Sequence, residues 1–325
     1  MKPVIFSTHK LHPDIERQLA ELGELRIASA PSAEAIEAEC KGAHHIVVRA
    51  PIPAEIVQRE TQLHALVRHG AGLDMIPVET CTEAGIVVAN VPGVNAVTVA
   101  EHAIWTLLAL LRRFQSVNRD LRNKGWETAR AHSNSGTELT GKTIGIIGFG
   151  NVGREVARIA HNGFNMNVLV HTRRADSVPE PFEAASLGHL LETADCVVLC
   201  CPLTDETRGI LNSAAIARMR DSAVLVNVAR GPVIETDALV EALRSGAIAG
   251  AALDVFDQHP LEAGHPLYEL DNVILTPHMA GITRESMMRM GQGTVDEIAR
   301  LTRREKPVNF VNPEVWPHFL ERTGG

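Results

Sequence analysis

The chain has 325 residues and a mass of 35.2 kDa, a length that predicts two domains, each large enough for its own buried core. Hydrophobic residues make up 45% and charged residues 22%, a composition that is typical of globular proteins and excludes an intrinsically disordered chain. The formal net charge of −8 lacks the positive field of a nucleic-acid-binding protein, so no nucleic-acid partner is expected.

Neither a targeting segment nor a membrane span is predicted. Residues 1–6 contain only a short apolar run, and the most apolar helical stretch, residues 99–111, is short and contains Glu101 and His102. The five cysteines follow neither a disulfide framework nor metal-ligand spacing. We therefore interpret them as reduced thiols of a cytoplasmic protein with no membrane partner.

Short runs rich in Val and Ile alternate with helical patterns along most of the chain. The predicted strands form a first series at 4–6, 46–48, 66–67 and 86–88, and a second at 144–147, 168–170, 197–199, 224–228, 251–253 and 273–275. Continuous apolar runs between helices indicate parallel strands buried on both faces, so the predicted fold class is α/β.

Three segments outside these strands also carry predictions. A long helix between the two series is predicted from the spacing of Val99, Ala103, Leu107, Leu110 and Phe114. The polar residues 119–138 predict a helix end and an exposed loop. The last residues, 309–325, carry several prolines and a terminal glycine pair, which predict an irregular tail.

A glycine motif directly follows the first strand of the second series and opens a predicted helix. It reads Gly148-x-Gly150-x-x-Gly153, and this strand–turn–helix context is the one that dinucleotide binding requires. Gly148 permits the tight turn, Gly150 lets a pyrophosphate approach the backbone, and Gly153 lets the helix pack closely on the strand. The free amides at the helix start would face the phosphates. An ordinary glycine-rich turn is the alternative.

The residues after the next strand bear on the choice of cofactor. A carboxylate there would accept a hydrogen bond from the ribose 2′-hydroxyl and indicate NAD. The chain has Thr172, Arg173 and Arg174 instead, with no acid before Asp176. Guanidinium groups suit a 2′-phosphate because they bond two oxygens at once, so the sequence favours NADP over NAD. Solvated surface arginines are the alternative.

Seven further blocks stand in order along the chain and begin at Arg68, Asn90, Val99, Cys201, Val226, Ala252 and Leu275. With the glycine motif, they resemble the D-isomer-specific 2-hydroxyacid dehydrogenase family over nearly the whole length. The resemblance implies two Rossmann-like domains and a homodimer formed through the nucleotide domain. Residues 1–97 and 287–325 would form a discontinuous, flavodoxin-like substrate-binding domain, and residues 98–286 a doubly wound dinucleotide-binding domain.

The resemblance also implies roles for individual residues. Arg230 would bind the substrate carboxylate and polarise the reacting carbonyl, and His278 would be the general acid/base, a task for which imidazole is suited near neutral pH. The positions matching substrate-binding residues, besides those two, are Arg49, Ala71 and Gly72. The positions matching cofactor-binding residues are Gly148, Gly150, Asn151, Val152, Gly153, Thr172, Arg173, Arg174, Cys201, Pro202, Thr207, Val228, Ala229, Asp254, Ala280 and Gly281.

The chain departs from the family pattern in three places. His259 stands where the family usually has a Glu paired with the catalytic histidine. This departure bears on how the acid/base properties of His278 are set. Cys200-Cys201 stand in a block that often carries a histidine. Residues 50–53 replace a Ser/Thr-bearing loop that helps to determine which 2-hydroxy or 2-keto acid is the substrate. The two histidines invite a metal interpretation with Asp254 or His265, but no short-spaced ligand motif supports it, so no metal is expected.

The expected function is hydride transfer between NAD(P)H and a small 2-keto acid or D-2-hydroxy acid of the glyoxylate or hydroxypyruvate type. A D-3-phosphoglycerate dehydrogenase is the alternative enzyme, and formate is a weaker substrate candidate. A dinucleotide-sensing protein like the family's co-repressor branch is an alternative of another class. Retention of Arg230 and His278 favours the enzyme, although fold alone does not decide function.

Overall fold

The computed structural model describes residues 2–324, so Met1 and Gly325, the outermost residues of the predicted discontinuous domain, lie outside the described residues. The chain divides into two compact units. Unit 1 combines the residues up to Asn95 with those from Ile282 onward, and unit 2 is Ala96–Gly281. The boundaries of the units therefore fall shortly before the predicted domain boundaries at 97/98 and 286/287.

Unit 1 begins with a five-stranded parallel sheet of order β2-β1-β3-β4-β5. Its strands are β1 (Val4–Ser7), β2 (Glu24–Ile27), β3 (His45–Val48), β4 (Ala65–Arg68) and β5 (Val87–Ala89). Its first helices are α1 (Pro13–Leu22), α2 (Ala33–Glu39), α3 (Ala54–Arg59) and α4 (Val78–Glu83). Strand β2 was not predicted, because it lies at the sheet edge and its residues alternate between exposed and half-buried, which leaves no apolar run.

Unit 2 opens with three helices, α5 (Ala96–Leu111), α6 (Phe114–Lys124) and α7 (Trp126–Ala131). The predicted long helix therefore ends earlier than its apolar stripe, because Arg113 takes a left-handed conformation with φ of 51° and Phe114 begins α6. The prediction of a loop over 119–138 was wrong for α6 and α7. Charge pairs contribute to the order of this segment: a hydrogen bond from His132, with Lys124 nearby, lowers the pKa of the buried Asp120 to about 2.

A seven-stranded parallel sheet follows in the order β12-β11-β10-β9-β6-β7-β8. Its strands are β6 (Thr143–Ile147), β7 (Asn167–His171), β8 (Glu183–Ala184), β9 (Cys196–Leu199), β10 (Val224–Asn227), β11 (Gly250–Leu253) and β12 (Val273–Leu275). Its helices are α8 (Asn151–Phe164), α9 (Leu187–Thr193), α10 (Ser213–Ile216) and α11 (Thr236–Ser245). The strand order reverses beside β6, which is where sheets of this type bind ligands. The predicted α/β class with two parallel, Rossmann-like sheets is confirmed.

The chain then returns to unit 1 with α12 (Arg284–Thr302) and α13 (Trp316–Arg322). The prediction of an irregular tail was wrong for α13. Its Phe319 is buried and stacks on Trp316 with ring centroids 4.9 Å apart, while Arg322 donates hydrogen bonds to the carbonyls of Ala84 and Thr61. Tertiary contacts thus order a segment whose prolines predict irregular structure.

The helices of residues 2–324 include none that is long and apolar enough to cross a membrane. The cytoplasmic location stays a prediction.

Candidate active site

The glycine turn between β6 and α8 has the geometry that a dinucleotide requires. Gly148 has a φ of 97°, and a Cβ placed on it would lie 2.6 Å from the backbone of Cys201. A Cβ on Gly153 would lie 2.1 Å from the carbonyl oxygen of Gly148, so the helix packs directly on the turn. A Cβ on Gly150 would meet no heavy atom within 4 Å. Open space beside this backbone at the start of α8 fits a pyrophosphate.

A cleft of about 280 Å³ opens at this turn. The predicted cofactor-binding residues that line it are Gly148, Gly150, Thr172, Arg173, Arg174, Cys201, Pro202 and Thr207. Asn151, Val152 and Gly153 form the first turn of α8, directly after Gly150. The structure therefore brings the glycine motif together with the loops that follow β7 and β9.

Glu206 is a carboxylate in this cleft that the sequence analysis missed. Its Oε2 lies 3.8 Å from Nη1 of Arg173. An acid at this place was expected only at the end of β7, whereas Glu206 reaches the same cleft from the loop after β9. Its position in the block that begins at Cys201 was the available signal.

A second group of predicted residues surrounds the loop after β12, which carries His278. The His278 backbone has a φ of 52°, a left-handed conformation that costs energy unless other contacts hold it. Its N–H donates to the Asp254 carbonyl at 2.8 Å. The buried Asp254 carboxylate accepts from the N–H groups of Met279 at 2.8 Å and Ala280 at 2.9 Å. Asp254 therefore fixes the backbone at His278 and at the two residues that follow it, directly before Gly281.

His102 and Thr276 extend this network, and the sequence analysis gave neither a role. The Thr276 hydroxyl donates to Asp254 Oδ1 at 2.7 Å and lies 3.3 Å from His102 Nε2. Because that hydroxyl proton is directed to Asp254, Nε2–H of His102 is the donor in the second contact. Burial lowers the pKa of His102, against the opposing charge of Asp254, which favours the neutral ring.

His259 lies next to His278. Their ring centroids are 5.2 Å apart with the planes inclined by 35°, and both side chains are exposed. His259 Nε2 accepts a hydrogen bond from the N–H of Phe256 at 3.2 Å. Because Nε2 accepts in this contact, the contact favours the tautomer with the hydrogen on Nδ1. The position that the family usually gives to a carboxylate thus holds an imidazole ring.

Arg230 lies on the loop after β10, together with Val228 and Ala229. The buried side chain of Asn227 supports this loop: it accepts from the Ala229 N–H at 3.0 Å and donates to the Arg230 carbonyl at 2.9 Å. Arg230 Nη1 donates to the Ala229 carbonyl at 2.7 Å. Asn227 is a positioning residue that the sequence analysis missed, although it stands within the Val226 block.

The residues predicted to contact substrate in unit 1 lie where β3 and β4 end. The Arg49 guanidinium donates to the Lys10 carbonyl and lies 3.5 Å from His9 Nδ1. Arg68 Nε donates to the Gly72 carbonyl at 3.0 Å and so shapes the turn that contains Ala71. Burial lowers the pKa of Arg49. This edge of the unit 1 sheet therefore combines a guanidinium group with a glycine-containing turn, and guanidinium groups and the backbone amides of such turns are groups that bind anions.

Metal and thiol chemistry find no support at these positions. Across residues 2–324, no three or more His, Cys, Asp or Glu side chains are grouped to hold a metal ion. Burial raises the pKa of the Cys200 and Cys201 thiols, so they stay protonated and serve as small apolar residues at the cleft.

Comparison with known proteins identifies relatives over the whole chain. The family model of the D-isomer specific 2-hydroxyacid dehydrogenase NAD-binding domain matches residues 104–280. The glyoxylate reductase of Korarchaeum cryptofilum is 36% identical over 324 residues, which cover 97% of each chain. The D-3-phosphoglycerate dehydrogenase of Archaeoglobus fulgidus is 35% identical over 306 residues, which cover 92% of this chain and 57% of that protein.

Solved structures agree with this result. The NADPH-dependent glyoxylate/hydroxypyruvate reductase of Sinorhizobium meliloti, solved with NADP and malonate, superposes with a TM-score of 0.84 at 29% identity. The match covers 96% of this chain and 97% of the other.

Proposed function

The chain belongs to the D-isomer-specific 2-hydroxyacid dehydrogenase family, and from this premise we propose that it reduces glyoxylate or hydroxypyruvate with NADPH. The observation that carries the proposal is the loop around His278, which Asp254 holds in place, together with the supported Arg230. The 36% identity to a glyoxylate reductase and the superposition on a glyoxylate/hydroxypyruvate reductase support these substrates, and phosphoglycerate is the alternative.

Each residue has a defined task in this proposal. A bound nicotinamide supplies the hydride that the substrate carbon receives. Arg230 binds the substrate carboxylate and stabilises the charge that develops on the carbonyl oxygen. His278 donates the proton to that oxygen. Asp254 positions His278 through the backbone, and Oδ2 of Asp254, which accepts from the Ala280 N–H, can also accept from a carboxamide.

We assign cofactor binding to unit 2, and we assign to unit 1 the substrate contacts other than those of Arg230 and His278. The open backbone at Gly150 and the adjoining arginines support the first assignment. Arg49 and the turn containing Ala71 and Gly72 support the second, because they offer a guanidinium and amides to a carboxylate.

A direct assay tests the function. The protein is mixed with NADPH or NADH and a panel of glyoxylate, hydroxypyruvate, phosphohydroxypyruvate and pyruvate, and cofactor absorbance is followed; formate oxidation is assayed with NAD and NADP. Turnover of the first two acids is the expected result. Nucleotide binding without turnover of any substrate would favour the dinucleotide-sensing class instead.

NADPH should give a higher kcat/KM than NADH. We expect Arg173→Ala to lower kcat/KM for NADPH by about 10- to 100-fold and to change that for NADH little, because a hydrogen bond to a charged phosphate is lost. Arg244→Ala, which removes an exposed arginine elsewhere in unit 2, is the control. An equal loss with both cofactors would show that the arginine does not bind a 2′-phosphate.

The His259 ring offers a second test. His259→Glu places a carboxylate beside His278, which favours the imidazolium needed for proton donation. We expect the variant to stay active and the alkaline limb of kcat/KM for reduction to move to higher pH, while His259→Gln leaves it in place. An active Glu variant with an unmoved limb would contradict the pairing.

We further propose that the protein is a homodimer formed through unit 2. Five large apolar side chains on its first three helices are exposed: Val97, Trp105, Phe114, Leu121 and Trp126. An apolar surface of this kind is typical of an interface between subunits.

A further inference from the structure

Two loops meet at the mouth of the unit 2 cleft. Residues 172–174 follow β7 and carry both arginines, and residues 202–208 follow β9 and carry Glu206. Under the proposed function, this is where the 2′ position of the adenosine ribose lies. The groups that face it from the two loops include two guanidinium groups and one carboxylate.

The loop that carries Glu206 is a well-fixed turn. The Thr207 hydroxyl donates to the Pro202 carbonyl at 2.6 Å and accepts from the Thr204 N–H at 2.8 Å. The Arg208 N–H donates to the Thr204 carbonyl at 2.9 Å. The backbone of Glu206 is therefore held at the cleft by bonds that do not involve its own side chain.

The contact between Glu206 and Arg173 is electrostatic. Their nearest charged atoms are 3.8 Å apart, beyond hydrogen-bond distance, and the side chains are 72% and 79% exposed. Such a contact does little to orient the guanidinium, and its main effect is to reduce the positive charge of the cleft. Glu206 therefore acts on a ligand mainly through its charge.

We propose that Glu206 is a cofactor-selectivity residue that limits the preference for NADPH and keeps NADH usable. A 2′-phosphate carries nearly two negative charges and only accepts hydrogen bonds, so a carboxylate repels it. A 2′-hydroxyl can donate to the same carboxylate. The inference rests on the proposed cofactor site and adds to it a residue that acts against the two arginines.

The test measures nucleotide binding rather than turnover. The full chain is titrated calorimetrically with 2′,5′-ADP and with 5′-ADP, for the wild type, Glu206→Gln and Asp205→Asn. Asp205 is the matched control, because it is the exposed neighbour of Glu206 and does not line the cleft. We expect Glu206→Gln to strengthen 2′,5′-ADP binding about three- to tenfold at low salt, less at high salt, without strengthening 5′-ADP binding. Asp205→Asn should change either affinity less than about twofold, since its charge is further from the ligand.

Each other result overturns a distinct claim. Weaker 2′,5′-ADP binding in Glu206→Gln would mean that Glu206 orients Arg173. Equal changes in affinity for both nucleotides, or no change, would mean that Glu206 does not distinguish the two cofactors. Failure of the wild type to bind either nucleotide would overturn the cofactor site and this inference with it. Nucleotide binding without keto-acid turnover would overturn only the reductase proposal.

Discussion

Arg230→Ala is expected to lower kcat/KM for keto-acid reduction by about 10²- to 10³-fold, because removing one donor to a developing oxyanion causes a loss of this size. The affinity for NADPH should stay nearly unchanged. The guanidinium would contact the substrate carboxylate and the reacting carbonyl, and no other residue of its loop carries a positive charge. The loop itself should survive the change, because Asn227 bonds to the backbone of Ala229 and Arg230 rather than to the arginine side chain.

Steady-state kinetics and NADPH titration on the same preparations measure this prediction. Arg230→Lys is the matched variant: it keeps the charge but loses the bidentate geometry, so we expect an intermediate kcat/KM. A kcat/KM close to that of the wild type in the alanine variant would remove Arg230 from the proposed mechanism. A large loss of NADPH affinity would place it at the cofactor instead.

The second large effect concerns stability at acidic pH. Three histidines lie close together in unit 1, with ring centroids 5.3 Å apart for His44 and His64 and 6.0 Å apart for His45 and His64. Burial, with the charges of its two neighbours, lowers the pKa of His45 to about 3. Burial also lowers the pKa of His64 to about 4, with a contribution from His44 and Arg322. The folded protein thus holds these rings neutral where the unfolded chain would protonate them.

The sign of the effect follows from that difference. Below the ordinary imidazole pKa of about 6.5, the unfolded chain binds more protons than the folded one, so the free energy of unfolding falls as the pH falls from about 6.5 towards 3. For His45 alone, the full loss is on the order of 4 kcal/mol. That is a large part of the stability of an ordinary domain.

Urea unfolding at pH 7.5 and at pH 5 tests this prediction. His45→Leu should show a smaller loss of stability between the two values, and it should remain folded at pH 7.5 because the buried Nδ1 of His45 has no hydrogen-bond partner to lose. His318→Leu, at an exposed position of the same unit, should retain the wild-type difference. An unchanged pH dependence in His45→Leu would show that this ring does not control acid stability.

The sequence by itself determined the fold class and the glycine turn. Buried parallel strands need Val and Ile on both faces, so their runs are visible without any tertiary information. Gly148 needs its own positive φ, and a Cβ on Gly153 would lie 2.1 Å from the carbonyl oxygen of Gly148, five residues earlier; a motif of fixed spacing records such local needs, although the packing of Cys201 on Gly148 is a contact between distant segments. Arg230 and His278 were found through their sequence blocks, and their roles stay proposals.

The tertiary structure alone decided which side chains act together. Asp254 and Ala280 are 26 positions apart, and Glu206 lies on the loop after β9 whereas Arg173 lies on the loop after β7. No local sequence pattern therefore records either contact. In α6 the buried Asp120 pairs with Lys124 and His132, and α13 packs through the buried Phe319, so contacts of single residues order segments whose polar or proline-rich composition predicts irregular structure. Contacts between distant segments form only when the sheets bring strand ends to one edge, which is why the support for His278 and the charge facing Arg173 could not be read from the sequence.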